Sequence, residues 1–371
     1  MIGCATAFWL HRLRPQLRLI LLEAGALADG ASGRNAGFIL PGASADFLKD
    51  CNRYGEERAR RLWQFTRENR ALLVRELDPT AFDWEDGGAL IVAGSAEEEK
   101  RLQEAVSWLR SDGAPAIFLS AAEINRRLQA RGYRGGLYLP EGGCLDPVAL
   151  VRHLAARSEA LVLTHHPVLA LEPCGEGVRL ETPYGSVRAG LVLLALNAYL
   201  PRLLPETAAY VRPVRAQMLA TEPAGRRWVP CPVYSHEGFF YLRQLADGTL
   251  LLGGARHLHL EEEVGYEDAT TEALQADLER YLHAYFPQTE GLRVRCRWSG
   301  TMGFSPDGLP VVDQVPGLAG SYWAAGFTGH GMGYGFRMGR LLAELLLGRR
   351  PEGYDLFARS DRPAFASEPL V

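Results

Sequence analysis

The chain has 371 residues, 47% of them hydrophobic and 23% charged, with a formal net charge of -4. That length exceeds what one hydrophobic core usually serves, so two domains are expected, and the lack of a basic excess argues against nucleic acid as the main partner. The longest apolar runs, Leu19–Leu22 and Leu191–Leu196, fall well short of the roughly 20 apolar residues that a membrane span needs.

Six cysteines, Cys4, Cys51, Cys144, Cys174, Cys231 and Cys296, are scattered without a CxxC pair, so reduced thiols are expected. The N-terminus has no signal-peptide pattern, and a cytoplasmic protein without an integral membrane segment is expected.

Residues 4 to 13, CATAFWLHRL, read as a helix that ends before Pro15. Arg18 to Glu23, RLILLE, reads as a short buried strand tipped by an acid. Helix, strand and terminal acid follow one another in a dinucleotide-binding unit. There the acid lies about 20 residues beyond the GxGxxG glycines and takes the ribose hydroxyls. Gly3 and Glu23 have that spacing, which makes Gly3 the last glycine of the fingerprint. The strand and two glycines that would precede it are not in this chain, and a start lying further upstream is expected. Taken alone, the pair favours a structural role. Residues 30 to 37, GASGRNAG, then supply small residues for close backbone approach, with donors on Ser32, Arg34 and Asn35, as a phosphate bridge requires. A solvated turn is the plainer reading of such residues, but eight in a row after that strand are harder to dismiss.

The segment GEERARRLWQFTRENRALLVREL reads as an amphipathic surface helix with a solvated charged face, and FDWEDGGALIVAG as a strand hairpin. In GGCLDPVALVRHLAAR, Asp146 is the expected N-cap and Pro147 the first helical residue. LVLTHHPVLAL reads as a strand, and VRLETPYGSVRAGLVLLALNAY as a hairpin feeding a buried strand. His165 and His166 have no second ligand pair, so no metal is expected. VRPVRAQMLATEP reads as a strand, and FFYLRQLADGTLLLGGARH as two strands around Asp247-Gly248. The strongest signal lies in residues 298 to 348: a turn-rich SPDGLPVVD, a strand SYWAAG, a glycine loop from Gly326 to Gly333, and an apolar helix from about Tyr334 to Leu347. A helix N-terminus offers free N–H groups and partial positive charge, and glycines let the backbone approach a flat ring.

LLEAGALADGASGRNAGFI, HHPVLAL and this C-terminal constellation resemble FAD-dependent oxidoreductases of the D-amino-acid oxidase and glycine oxidase superfamily, from Gly3 to about Gly348. The ASGRNAG form is similar to the gamma-glutamylputrescine oxidoreductase branch. The resemblance implies noncovalent FAD and an α/β fold. A Rossmann-like FAD-binding domain of glutathione-reductase type, its first strand truncated, would comprise residues 1–44, 142–208 and 299–371. An α+β substrate domain with a mainly antiparallel sheet would comprise 45–141 and 209–298. At the cofactor it places Gly3, Glu23 on the adenosine ribose, Ala31, Ser32, Arg34, Asn35, Ala36, Gly37, Val168 at the adenine, Asn197, Gly300, Gly326, Gly329, His330, Gly331 and Met332. Met302, Arg256 and Tyr241 are the implied substrate contacts, and His330, Tyr241 and Arg243 the candidate catalytic groups. A half-exposed sheet carrying Tyr241, Arg243 and Arg256 into solvent is an equal alternative.

One departure bears on the substrate. Relatives carry an arginine within WxGxRPxTxDGxP that clamps the substrate carboxylate. Here Trp298 to Pro310 reads WSGTMGFSPDGLP, with Met302 in that slot. Methionine cannot form a charge-assisted bidentate pair, so a simple α-amino acid is disfavoured unless Arg215, Arg243 or Arg256 supplies the charge. The gamma-glutamylputrescine branch also lacks that arginine and oxidises an amine. The nearest cysteine, Cys296, precedes Trp298, and Lys49 and Lys100 lie outside the flavin motifs. The expected reaction is oxidation of an amine C–N bond by hydride transfer to flavin N5. The imine then hydrolyses, and oxygen or a quinone is the acceptor. Two alternatives stay open: a D-amino-acid or glycine/sarcosine-type oxidase or dehydrogenase, and a non-catalytic chain that does not hold FAD.

Overall fold

The amino-terminal helix Ile2–Leu13 lies against the carboxy-terminal helix Gly331–Leu346 at a separation only small side chains permit. In the computed structural model, which describes residues 1–43 and 46–365, a Cβ placed on Gly339 would fall 2.5 Å from the Cβ of Ala5. The outer ends of the expected domain segments, at 44, 45 and 366–371, lie outside the described residues. Phe8, Trp9 and Phe336 meet with ring centroids 5.1–5.4 Å apart, and the Trp9 indole donates to the Phe336 carbonyl at 3.0 Å. The expected helix thus begins two residues earlier than its sequence pattern suggested.

A third helix, Glu56–Glu76, turns its arginines and glutamates outward and buries Leu62, Phe65, Asn69, Leu72 and Leu73. Asn69 has 0% exposure. Its amide donates to the Met332 carbonyl at 3.2 Å and accepts from the N–H groups of Phe336 and Arg337 at 2.8 and 2.9 Å. One side chain is therefore inserted into the hydrogen-bond ladder of the carboxy-terminal helix, close to the turn that faces the site.

Two small sheets flank these helices. Ile20–Leu22 pairs in parallel with Leu161–Leu163. Val192–Leu194 pairs in parallel with Ser321–Ala325, which pairs antiparallel with Val311–Gln314. Gly3 sits between them: a Cβ there would lie 3.7 Å from Ala195 and 3.9 Å from Leu21. The expectation of a buried strand at 18–23 is corrected, because Ile20 is 45% exposed at the edge of a two-stranded sheet. LVLTHHPVLAL is two strands, Leu161–Leu163 and Ala170–Cys174, rather than one. The chain turns at His165 (φ 58°), where the N–H groups of His165 and His166 bond the carbonyls of Gly25 and Glu23.

Ala170–Cys174, Gly177–Thr182 and Gly185–Ala189 form an antiparallel sheet of their own, and Phe38–Ile39 pairs with Gly143–Cys144. Eight further strands form one sheet in the order Val294–Phe304, Arg212–Thr221, Leu250–Gly254, Phe240–Gln244, Val233–Ser235, Ala89–Val92, Gly135–Leu139, Ile117–Ser120. Its pairings are antiparallel except that of Val233–Ser235 with Ala89–Val92. FDWEDGGALIVAG contributes a single strand, not a hairpin, because Ala89–Val92 takes distant partners on both sides. The turn at Asp247-Gly248 forms as expected, with Leu245 N–H to Thr249 O at 2.8 Å, and Asp146 caps Pro147–Arg157 through the N–H groups of Val148 and Ala149. Val294–Phe304 crosses the expected boundary at 298/299. The six cysteines are unpaired, and among the described residues no helix is long and apolar enough to cross a membrane.

Replacing Asn69 with leucine strands a buried carbonyl and two N–H groups, each costing about 1–3 kcal/mol with partial relaxation. Asn69→Leu should lower unfolding stability by about 2–4 kcal/mol in urea titration; a change under about 0.5 kcal/mol would show that the bridge is dispensable.

Candidate functional site

The helix ends and the large sheet enclose an open cleft with a cavity volume of about 370 Å³. That lies within the roughly 300–1,000 Å³ of a typical small-molecule pocket. Both flanking helices present N-termini to it, through Met1 and Ile2 on one side and Gly331, Met332 and Gly333 on the other. Neither has an acidic residue in its first turn, and His330 caps the second without a side-chain bond. Two partial positive charges therefore converge on one space, an arrangement suited to phosphate or a ring that gains negative charge.

The loop from Ala31 to Ala36 forms one wall. Its shape is fixed by its own side chains. Asn35 donates to the carbonyls of Ala31 and Ser32, both at 2.9 Å, and accepts from Gly37 N–H at 2.7 Å. Arg34 donates to Asp268 at 2.6 and 2.7 Å, to Ser299 O at 3.1 Å and to Asp29 O at 2.7 Å, while its carbonyl accepts from the Trp298 indole at 2.9 Å. Two of the donors expected for a phosphate thus brace the loop, and small residues with backbone remain to meet a ligand. Gly37 lies just behind: at φ 73° a Cβ there would sit 2.0 Å from the Leu145 carbonyl oxygen. Asn197, Gly300, Gly329, His330 and Met302, each singled out from the sequence, line the cleft.

Other expected residues lie outside its lining. Gly3 lies in the first turn of the amino-terminal helix, and Glu23, just after the strand Ile20–Leu22, accepts from Gly25 N–H at 3.0 Å and acts electrostatically on Met1 and Cys4. Val168 packs at the edge of an apolar cluster that contains Val178 and Leu180. Gly326 donates its N–H to Asn197 at 3.0 Å. Arg243, expected as a catalytic candidate, points away and donates to the Leu145 carbonyl at 2.7 Å, where it props the loop from behind.

Aromatic rings form the opposite wall. Tyr234 lies 5.2 Å from Phe38, 6.3 Å from Tyr241 and 6.4 Å from His330, between ring centroids. Burial lowers the His330 pKa to about 4 and pushes Tyr234 up to about 12; Tyr241 is raised as well, chiefly by burial. All three are neutral near pH 7. Tyr241 lies over Gly253, where a Cβ would come 2.3 Å from its ring. Met302 is beside the glycine loop, its sulfur 3.8 Å from where a Gly329 Cβ would stand.

The three candidate arginines differ. Arg215 is committed to buried Glu263 at 2.8 Å, and Arg243 to Leu145. Arg256 lines the cleft and stacks over Phe304, 4.8 Å from the ring centroid, with no carboxylate within 4.0 Å among the described residues. Sequence reasoning missed Phe38, Tyr234 and Glu237, which line the cleft. Glu237 is held at its edge by Lys49 and Arg101, both at 2.5 Å. Lys49 is one of two lysines in the chain, the one signal that could have drawn attention to it.

A family model described as DAO, FAD dependent oxidoreductase, matches residues 1–345. The chain is 28% identical to the Rhizobium meliloti protein named Probable oxidoreductase OrdL, over 93% of this chain and 81% of that one. It is 26% identical to gamma-glutamylputrescine oxidoreductase of Escherichia coli, over 94% and 82%. The crystal structure of glycine oxidase from Geobacillus kaustophilus superposes with a TM-score of 0.80 at 21% identity, covering 95% and 93% of the two chains.

The lowered pKa of His330 has a thermodynamic consequence. Between pH 6.5 and about 4 the unfolded chain binds a proton at this residue that the folded chain does not. Stability contributed there is present above the unfolded pKa and is lost as pH falls through that window. His330→Gln should flatten part of the decline in urea-unfolding stability between pH 7 and pH 4.5; an unchanged slope would mean that His330 is freely protonated in the fold.

Proposed function

We propose that this chain, which belongs to the DAO family of FAD-dependent oxidoreductases, holds FAD without a covalent bond in the cleft and oxidises a C–N bond of an amine. The observation that carries the amine reading is Met302, which faces the cleft beside Gly329 in the place where a carboxylate-clamping arginine was expected. The printed name of the Escherichia coli relative, gamma-glutamylputrescine oxidoreductase, supports the same reading.

The residues present suit the cofactor. The Ala31–Ala36 loop and the amino-terminal helix would take the pyrophosphate, and Glu23 the adenosine ribose. The N-terminus of Gly331–Leu346 would face the pyrimidine side of the ring, where negative charge develops. No cysteine is among the lining residues described, which supports noncovalent attachment. When bound, FAD supplies the hydride acceptor this chemistry requires.

The chain's own contribution is to hold a neutral amine. Loss of hydride from the carbon next to nitrogen needs the nitrogen lone pair, so an ammonium ion is unreactive. His330, Tyr234 and Tyr241 add no charge to the aromatic wall. Glu237 is offset by Lys49 and Arg101, and Arg256 adds positive charge. A bound ammonium therefore meets no uncompensated anion, and its pKa is pushed down. The imine then hydrolyses in water, and oxygen or a quinone takes up the electrons.

Anaerobic mixing of the FAD-loaded protein with a panel of primary and secondary amines should bleach the flavin band, with glycine and D-alanine far slower. Bleaching by D-amino acids or glycine alone would overturn the amine reading.

A further inference from the structure

Among the described residues, Arg256 is the arginine that lines the cleft without an acid within 4.0 Å of its guanidinium. The backbone delivers it there at a cost. The strand Leu250–Gly254 ends at Gly254 with φ 123°, where a Cβ would lie 2.0 Å from the Phe239 carbonyl oxygen. Ala255 follows with φ 59°, a left-handed conformation that strains a non-glycine residue. Its buried N–H donates to that same Phe239 carbonyl at 2.8 Å. Two consecutive constrained residues thus fix the direction in which Arg256 leaves the sheet, and its guanidinium lies over the Phe304 ring. Partial burial works against its charge. Glu263 acts on it through space, but Glu263 is already bonded by Arg215 at 2.8 Å and by Gln217 at 2.7 Å.

The position of Arg256 along the sheet gives a length. Phe304 and Met302 are two residues apart on Val294–Phe304, so their side chains share a face, about 7 Å apart along the strand. Arg256 stacks on Phe304, while the vacated clamp position is Met302. We infer that Arg256 forms a subsite for a carboxylate carried by the substrate some 7 Å from the place where an α-carboxylate would bind. The substrate class is then an amine with a carboxylate several bonds from the oxidised carbon, an ω-amino acid or its N-substituted derivative, and not an α-amino acid. The inference rests on the amine reading above, and its test separates the two.

Pentylamine and 5-aminopentanoate differ only in the terminal carboxylate. In anaerobic stopped-flow reduction of the FAD-loaded protein, 5-aminopentanoate should saturate at a concentration about 10- to 100-fold lower than pentylamine, the range of a charge-assisted hydrogen-bonded pair. Arg256→Met should collapse that ratio towards one. Arg256→Lys should restore part of it, since lysine keeps the charge but not the fork. Glutarate, which cannot be oxidised, should perturb the flavin spectrum of the wild type and of Arg256→Lys but not of Arg256→Met. An unchanged ratio in Arg256→Met, or glutarate binding that survives it, would overturn the subsite. If no amine reduces the flavin while glutarate binding still depends on Arg256, the amine reading fails and the subsite stands.

Discussion

The amide of Asn69, inserted into the ladder of the carboxy-terminal helix, is the interaction on which the geometry of the site depends. A helix start leaves backbone N–H groups without partners, and they must be capped, solvated or given to a ligand. Here Asn69 grips the Met332 carbonyl and, beyond the first turn, the N–H groups of Phe336 and Arg337. The close contact between Ala5 and Gly339 and the Trp9 bond to Phe336 fix the same helix from its other side. Held this way, the helix needs no side-chain cap, and its first turn is left to face the cleft. The amino-terminal helix, packed against it, brings its own N-terminus to the same space.

Charge in the cleft is arranged by commitment. Arg34, Arg215 and Arg243 all lie close to it, and each is bound to an acid or a carbonyl that holds a loop or strand in place. Glu237 is balanced by two cations. Among the described residues, what remains facing the interior is two helix termini, neutral aromatic groups and the Arg256 guanidinium. Such a surface suits an anionic cofactor and, as proposed for this cleft, a neutral amine met by a single positive group.

The parts of this architecture that were legible in the sequence are those fixed by neighbours in the chain. Asp146 and Pro147 announce a helix start because the cap bonds lie within three residues. Asp247-Gly248 announces a turn for the same reason. The loop from Ala31 to Ala36 and the Gly329–Met332 turn are local backbone shapes, and the family resemblance named them. The misreadings are failures of non-local pairing. Nothing between residues 82 and 92 shows that Ala89–Val92 takes partners near 137 and 234, and nothing in RLILLE shows that Ile20 faces solvent. Tyr234 was missed because the turn that sets it opposite Tyr241 runs through His236 and Glu237 at φ 51° and 60°, where glycine or asparagine would advertise such a bend. The commitments of Arg34 and Arg215 were equally invisible, because Asp268 and Glu263 lie far along the chain.

Each role assigned to the cleft depends on its holding a flavin, and the most direct measurement is FAD stoichiometry on the folded protein. The native spectrum and the flavin released on acid denaturation should give one FAD per chain, all of it set free. A folded protein that is colourless and takes up no FAD from solution would contradict the account at its base.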